Sequence, residues 1–410
     1  MVNKLVKNIQ SILVFVLSAL VFSRDVKPSG HVSLKPVSKN ALSLLSDVRV
    51  SKVKVLDELP CDITFFFADV KYTGTELKIC EFGGVASSIA DTQIIINGKQ
   101  ELLVKPYWGL FWHYLKQFNK PILYVGDQQP AITKELFTVG GKAFSSMPKF
   151  LDYFKKAQST RSRPTKIKDY EGIVVINKCM QGFSRKDFLK EYPMLLWVNG
   201  YTKMFTVKRH AFQLSDKNPE LRACFPAWKI YKKKYDDGLA EQIIKDIGAP
   251  FYIIKPINSM QSRGVIMTRG EKLDEDLKLI LQNPETIKAS AHKSLSYWKK
   301  DTNETFFVQA YAPSKTIRVQ GNDYDPTMRL VFFLRHEEGV MTVNVVAGYW
   351  KIPVKALNAS GTLTEKHITK PFSGDFFSGL LVDPEDLKHA KELLASMLPS
   401  LYQKMLACGV

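Results

Sequence analysis

Residues 239–267, LAEQIIKDIGAPFYIIKPINSMQSRGVIM, constrain the fold more than any other part of the sequence. The first ten predict an amphipathic helix that ends at Gly248, because glycine readily adopts the left-handed conformation after a helix. The apolar run FYIIKP then predicts a strand. A strand lysine, Lys255, followed by a polar loop that closes on Arg263 and Gly264 suits phosphate binding, since the ammonium neutralises charge and the loop offers N–H groups. A lone strand lysine is otherwise more often an edge residue that reaches solvent.

Short apolar runs alternate with helix-like stretches ahead of this segment. TQIII, PILYVG and GIVVIN predict buried strands, and PYWGLFWHYLKQF and SSMPKFLDYFKKAQ predict helices, which favours a mostly parallel α/β layer. Beyond residue 193 the strands are longer, with a hairpin around Glu338-Gly339 and a closing helix over 384–405. The predicted fold class is α/β (α+β), with two subdomains and a cleft between them.

The helix, the Ile247-Gly248-x-Pro250 step, the Lys-Pro strand and the glycine-bearing loop together resemble the nucleotide-binding unit of the ATP-grasp superfamily. The resemblance implies an ATP-grasp fold of two subdomains, preceded here by a Rossmann-like α/β domain. It implies that Lys255 is a catalytic residue that binds the phosphates of ATP, and that the loop is a flap over them. The loop has fewer glycines than most members carry.

Two further stretches resemble parts of the same superfamily. FVQAYA (307–312) looks like the hinge strand whose backbone pairs with adenine, which implies that Gln309, Ala310 and Tyr311 bind the nucleotide. An ordinary core strand is the alternative. Lys217 stands where a second phosphate-binding lysine is expected, although Lys208 and Lys229 compete for that role.

Asp325 and Arg329 resemble the aspartate–arginine pair of the tubulin–tyrosine-ligase-like members, with a longer spacing. The likeness implies that Asp325 belongs to the nucleotide site and that Arg329 is catalytic, holding an anionic carboxylate or the transferred phosphate in bidentate geometry. His367-Ile368-Thr369 resembles the His-Leu-Thr motif of that group and places Thr369 at the nucleotide. Lys370 stands where an Asn is usual.

The magnesium ligands of the superfamily have a counterpart near the other end of the chain. ATP-grasp enzymes end in a hairpin that carries the acidic residues for Mg²⁺, and residues 62–83 have that layout, with Asp69 and Glu81 as the two ligands. Gly83 stands in the place of the usual Asn. We expect a circular permutation that moves this hairpin ahead of the catalytic unit; the alternative is a plain edge hairpin.

These patterns divide the chain into four parts. Residues 1–58 form an apolar segment and tether, 59–88 the permuted hairpin, 89–192 an α/β domain, and 193–410 the ATP-grasp unit. The basic stretch 159–169 is more simply a solvated loop than a nucleic-acid site, because no aromatic residues are interleaved with its charges.

Composition limits the class of protein. With 45% hydrophobic and 24% charged residues, the chain is neither disordered, nor collagen-like, nor a polytopic membrane protein. Five scattered cysteines favour a reducing compartment over a disulfide framework. The net charge of +18 suits an anionic partner and equally suits solubility; we expect no nucleic-acid partner.

The apolar run over residues 9–23 has three interpretations: a signal peptide, a membrane anchor, or a buried or membrane-associated helix. A reaction that consumes ATP favours a cytoplasmic location. Contact with a membrane through this run and a secretory signal in residues 1–23 are the two alternatives.

The sequence therefore predicts an ATP-dependent carboxylate–amine ligase that works through an acyl-phosphate, with ATP and Mg²⁺ as cofactors. Its substrates would be a small-molecule or peptide carboxylate and an amine. The alternative is a non-catalytic ATP-grasp-like nucleotide-binding module, tethered to a membrane through residues 9–23.

Overall fold

The elements below come from a computed structural model that describes residues 48–51, 61–84, 92–96, 99–102, 104–126, 128, 130–154, 164–176, 188, 190–199, 208–216, 218–259, 262–287, 295–369 and 377–407. Its strands are β1 (Val48–Ser51), β2 (Cys61–Tyr72), β3 (Leu77–Gly84), β4 (Thr92–Ile96), β5 (Lys99–Leu102), β6 (Ile122–Val125), β7 (Lys142–Phe144), β8 (Gly172–Ile176), β9 (Leu195–Val198), β10 (Trp228–Lys232), β11 (Phe251–Pro256), β12 (Ile266–Arg269), β13 (Thr305–Ala310), β14 (Ile317–Val319), β15 (Asn322–Tyr324), β16 (Thr327–Glu337), β17 (Val340–Lys351) and β18 (Phe377–Leu381). Its α-helices are α1 (Val104–Lys116), α2 (Pro130–Thr138), α3 (Met147–Phe154), α4 (Lys208–Asp216), α5 (Pro219–Arg222), α6 (Leu239–Ile247), α7 (Leu273–Leu277), α8 (Tyr297–Lys300), α9 (Leu363–His367) and α10 (Pro384–Ala407).

The largest sheet has the strand order β3-β2-β16-β17-β18-β4-β5, with β1 paired to β17. Its centre is antiparallel, and β16 and β17 form the predicted hairpin. Glu338 and Gly339 at the turn both have positive φ, 51° and 74°, which is the backbone that a two-residue hairpin requires. The stretch 24–58, expected to be a tether, contributes β1 to this sheet.

Both faces of the largest sheet are covered, because side chains alternate along each strand. On β2, Phe66, Ala68 and Val70 pack in one core with residues of α10, such as Leu394 and Leu398. Ile63 and Phe65 point to the other face and pack with α1 and the strands of the parallel sheet. The predicted closing helix is confirmed as α10.

The second sheet is wholly parallel, in the order β7-β6-β8-β9, with helices between its strands. PILYVG and GIVVIN are its central neighbours β6 and β8, as the sequence predicted. TQIII is β4 and joins the largest sheet instead, parallel to β18. The parallel sheet continues past residue 193, where the sequence placed the next domain, because β9 pairs with β8.

The third sheet is antiparallel, in the order β10-β13-β11-β12. The predicted helix α6 lies against it and ends at Gly248, whose φ of 61° and ψ of 46° confirm the left-handed cap. The chain is thus a mixed α/β fold, as predicted. No helix within the described ranges is long and apolar enough to cross a membrane, and the apolar run 9–23 lies outside those ranges.

Candidate functional site

A cleft of about 630 Å³, open to solvent, lies between the third sheet and one face of the largest sheet. Charged and amide side chains line it, although it borders the hydrophobic core on one face of the largest sheet. The charged and amide side chains that line it are Asp69, Lys71, Glu81, Lys255, Gln309 and Lys351.

Strand alternation explains how these side chains reach one place. On β2, the face that carries Ile63 and Phe65 in the core carries Asp69 and Lys71 further along. On β17, Tyr349 packs in that same core and Lys351 follows two residues later. The cleft therefore lies where the side chains on this face of β2 and β17 change from apolar to charged.

Lys255 reaches the cleft from the end of β11, as the Lys-Pro strand predicted. Its Nζ donates to Oε1 of Gln309 on the neighbouring strand β13 at 2.8 Å. Lys255 and Gln309 are thus held together on one wall, and Gln309 is only 3% exposed. This places a cation and an amide side by side in the cleft.

The loop after β11, predicted to be a flap, is held by contacts on both sides. Ser262 has a positive φ of 56° and its hydroxyl donates to the Thr369 carbonyl at 2.8 Å. Gly264 has φ of 74°, and its carbonyl accepts from the Trp298 indole at 2.7 Å. Ser262 and Thr369 line the cleft, whereas Arg263 is exposed.

Asp69 and Arg329 form a buried ion pair between neighbouring strands. Arg329 Nε donates to Oδ1 at 2.7 Å and Nη2 to Oδ2 at 2.8 Å, and Lys351 Nζ donates to Oδ2 at 2.9 Å. All three residues are at most 5% exposed. Burial alone would raise the pKa of Asp69, but the charges of Arg329 and Lys351 outweigh it and hold that pKa well below its usual value. Burial, together with the nearby Arg329 charge, lowers the pKa of Lys351.

This pairing bears on two predicted roles, which stay predictions. Arg329 was expected to hold a substrate carboxylate or the transferred phosphate, yet its bidentate partner is Asp69. Its guanidinium also lies 3.7 Å from the centre of the Phe67 ring. Asp69 was expected to bind Mg²⁺, but both of its oxygens accept hydrogen bonds from cationic groups, and a bound ion would have to displace them.

The predicted magnesium site does not fit this arrangement for a second reason. Glu81 faces Asp69 across β2 and β3, as predicted, and it lines the cleft. Gly83, in the place of the usual Asn, has no room for a side chain, because a Cβ there would lie 2.1 Å from the Phe67 ring. Across the described ranges, no group of three or more His, Cys, Asp or Glu residues is placed to hold a metal.

Asp325 is the centre of a second buried cluster at the rim of the cleft. Its Oδ2 accepts from Lys71 Nζ at 2.9 Å, from the Tyr311 hydroxyl at 2.5 Å and from His367 Nδ1 at 2.9 Å. Its Oδ1 accepts from the Ser314 amide at 2.9 Å. The carboxylate of Asp325 thus bonds Lys71, Tyr311 and His367, and its expected contact with the nucleotide stays a prediction.

The predicted hinge strand is only partly available to an adenine. β13 is paired on both edges, with β10 and β11. The amide of Ala310 donates to the Ala227 carbonyl at 2.7 Å, and the amide of Tyr311 to the Phe251 carbonyl at 2.9 Å. Those two N–H groups are bonded to backbone carbonyls, and the contact of Ala310 and Tyr311 with a nucleotide stays a prediction. Gln309, Tyr311 and Ala312 nevertheless line the cleft.

Two predicted residues remain, Thr369 and Lys217. Thr369 lines the cleft, and its contact with a nucleotide stays a prediction. Lys217 lies outside the described residues. Lys71 and Lys351 were missed, although Lys71 lies two positions after Asp69 on β2 and Lys351 two positions after Tyr349 on β17, each on the same face of its strand. That spacing is the signal that could have identified them.

Comparisons with known proteins give distant structural similarities. No family model and no curated protein matches the chain. Among solved structures, D-alanyl-alanine synthetase A from Vibrio cholerae O1 biovar eltor is similar at 10% identity and a TM-score of 0.30, covering 70% of this chain and 81% of that one. The D-alanine-D-alanine ligase from Coxiella burnetii is similar at 12% identity and a TM-score of 0.23, covering 68% and 83% respectively. Similarities of this size do not bear on function.

Proposed function

We propose that the chain is an ATP-grasp-type, ATP-dependent ligase that joins a carboxylate to an amine through an acyl-phosphate. The supporting observation is the position of Lys255. It ends the Lys-Pro strand, bonds to Gln309, and lines one cleft together with the loop residue Ser262 and the motif residue Thr369. These are the parts that the resemblance implies, and they come from segments far apart in sequence.

The reaction would proceed in two steps. A carboxylate oxygen of the substrate attacks the γ-phosphorus of ATP, and ADP leaves. The amine nitrogen then attacks the acyl carbon, and phosphate leaves with the electron pair of the broken C–O bond. Positioning and charge compensation are the main needs of phosphoryl transfer.

The side chains of the cleft can meet those needs. Lys255 brings an ammonium group to the wall of the pocket, where phosphate oxygens would be bound, and Lys71 and Lys351 line the same pocket while they bond to Asp325 and Asp69. Ser262 and Val265 of the loop line the pocket, and exclusion of water at this wall would protect an acyl-phosphate from hydrolysis. The adenine would lie against the end of β13, with Ala312 rather than Ala310 or Tyr311 offering the backbone N–H.

We also propose that residues 62–83 are the relocated closing hairpin of the ATP-grasp unit. The support is strand register: Asp69 lies opposite Arg329 on β16 and opposite Glu81 on β3. The hairpin therefore extends the sheet that lines the cleft.

A second candidate is a nucleotide-binding module without ligase activity. It is favoured by the internal ion pairs, since Asp69, Arg329 and Asp325 bond to each other or to neighbouring protein groups. Such a protein would bind ATP at Lys255 without turning it over.

The two candidates are separated by product analysis. The protein is incubated with ATP, Mg²⁺ and a panel of amino acids that supply both carboxylates and amines, and ADP, AMP and amide products are measured. Amino-acid-dependent release of ADP with formation of an amide supports the ligase. Release of AMP contradicts the acyl-phosphate route, and binding of ATP without turnover supports the module.

Lys255→Ala provides the matched test of the site, with Lys232→Ala as the control, because Lys232 is an exposed lysine of the same sheet. We expect the Lys255 variant to lose ATP turnover and to keep its melting temperature, since removal of this side chain at the cleft leaves no buried cavity. Wild-type rates in that variant would refute the assignment.

A further inference from the structure

His367 at the end of α9 connects the cleft to the buried Asp325. The ring lines the cleft, and its side chain is 16% exposed. Its Nδ1 lies 2.9 Å from Asp325 Oδ2 and 3.1 Å from the Tyr311 hydroxyl. The imidazole therefore has one nitrogen turned toward a buried carboxylate while the ring borders the pocket.

The surroundings of Asp325 determine which nitrogen of His367 carries the proton. Burial would raise the pKa of Asp325, but the charge of Lys71 and the hydrogen bonds from its neighbours lower it, so the carboxylate is ionised. An ionised carboxylate only accepts hydrogen bonds, and the Tyr311 hydroxyl already donates to it. Nδ1 must therefore carry a hydrogen, which leaves the lone pair of a neutral ring on Nε2.

Nε2 is available for chemistry in the cleft. Within the part of the chain that the structure describes, it has no hydrogen-bond partner. A histidine whose first nitrogen is fixed by a carboxylate, with its second nitrogen at a pocket, is the arrangement by which an imidazole accepts a proton from a reacting group.

We propose that His367 is the proton acceptor for the attacking amine, a role that rests on the proposed ligase function. An amine enters as an ammonium ion, which has no lone pair for attack. Nε2 takes one N–H proton, and the resulting imidazolium is stabilised by Asp325. The freed nitrogen lone pair forms the C–N bond to the acyl carbon, the C–O bond to phosphate breaks, and phosphate departs with that electron pair.

Other acidic or basic groups in the cleft are less suited to this step. The carboxylate of Asp69 is ion-paired with two cations. Burial raises the pKa of the Cys80 thiol, which keeps it protonated. Glu81 also lines the cleft and is the other candidate for accepting the proton of the amine, so the experiment must distinguish it from His367.

The test compares two nucleophiles in the His367→Gln variant, using the amino-acid panel as the source of carboxylates. Amino acids react as amines that must lose a proton, whereas hydroxylamine is uncharged at neutral pH and needs no strong acceptor. We expect amide formation to fall about 10²–10⁴-fold, and ATP-dependent hydroxamate formation to stay within about threefold of wild type. Added imidazole should restore part of the amide formation in His367→Gly.

Two controls complete the design. His389 lies outside the cleft lining and bonds to Tyr72 and Gly74. The His389→Gln variant should therefore form both products at wild-type rates. Glu81→Gln should affect both nucleophiles alike if Glu81 only shapes the site.

Each outcome decides the matter. Equal losses with both nucleophiles in His367→Gln would mean that His367 holds the nucleotide or the carboxylate, and would overturn the proposal, as would unchanged amide formation. Selective loss in Glu81→Gln instead would assign the proton to Glu81. A wild-type protein that makes no hydroxamate from ATP would refute the ligase function itself, and this role with it.

Discussion

Substitution of Asp69 by Asn should destabilise the protein strongly. The change keeps the shape of the side chain and removes a negative charge that Arg329 and Lys351 both bond, at 2.7–2.9 Å. All three groups are almost fully buried. Removal of one partner from a buried ion pair costs about 3–5 kcal/mol, because the remaining charge is left uncompensated in a medium of low dielectric constant.

The expected shift in melting temperature follows from the size of the chain. With an entropy of unfolding of about 2 cal/mol/K per residue, a loss of that size lowers the melting temperature by roughly 4–6 °C. Thermal unfolding followed by circular dichroism measures it. Asp323→Asn is the matched control, since Asp323 and its neighbour Arg318 are exposed and 3.7 Å apart, and such pairs contribute little.

A second substitution tests the cause of the loss. Lys351→Met in the Asp69→Asn background removes one of the two cations that have lost Asp69 as a partner, so the double variant should lose less stability than the sum of the two single changes. If Asp69 were instead a magnesium ligand, Asp69→Asn would leave the metal-free protein as stable as wild type or more so, and would abolish only magnesium-dependent nucleotide binding. That result would refute the ion-pair reasoning.

Three further predictions concern the acid stability, the loop and a buried network. Burial raises the pKa of Asp69, but its two cationic partners lower it by more than burial raises it. This carboxylate therefore adds stability that is complete above its unfolded pKa of about 4 and declines as pH falls below that value. Asp69→Asn should show a flatter stability profile in acid titration, and an equally steep profile would contradict this. Gly264→Ala should cost about 1–3 kcal/mol in chemical denaturation, because φ is 74° and a Cβ would lie 2.6 Å from Pro256, with Gly321→Ala, equally strained but unobstructed, costing less. Tyr402→Phe should cost about 1–3 kcal/mol in the same assay, since its hydroxyl donates to the buried Asp62 at 2.9 Å; a loss below about 0.5 kcal/mol, as for an exposed hydroxyl, would show that this hydrogen bond does not hold α10 to β2.

Local sequence was sufficient for the elements whose signals are local. The left-handed Gly248, the hairpin at Glu338 and the Lys255 strand all depend on residues within one or two turns of chain. Backbone preferences and side-chain periodicity act over that range, so each could be predicted from the residues alone. The same is true of the closing helix and of the parallel strands β6 and β8.

The tertiary structure decided which charges meet. Asp69 and Arg329 are 260 residues apart, and Asp69 and Lys351 are 282 apart. Taken alone, Asp69 suggested a metal ligand and Arg329 a ligand for substrate, and Lys351 suggested no role. Only the pairing of β2, β16 and β17 shows that their charges neutralise each other, and that His367 rather than Asp325 faces the cleft. The physical reason is that a buried charge must find its partner in space, and that partner is set by strand register rather than by distance along the chain.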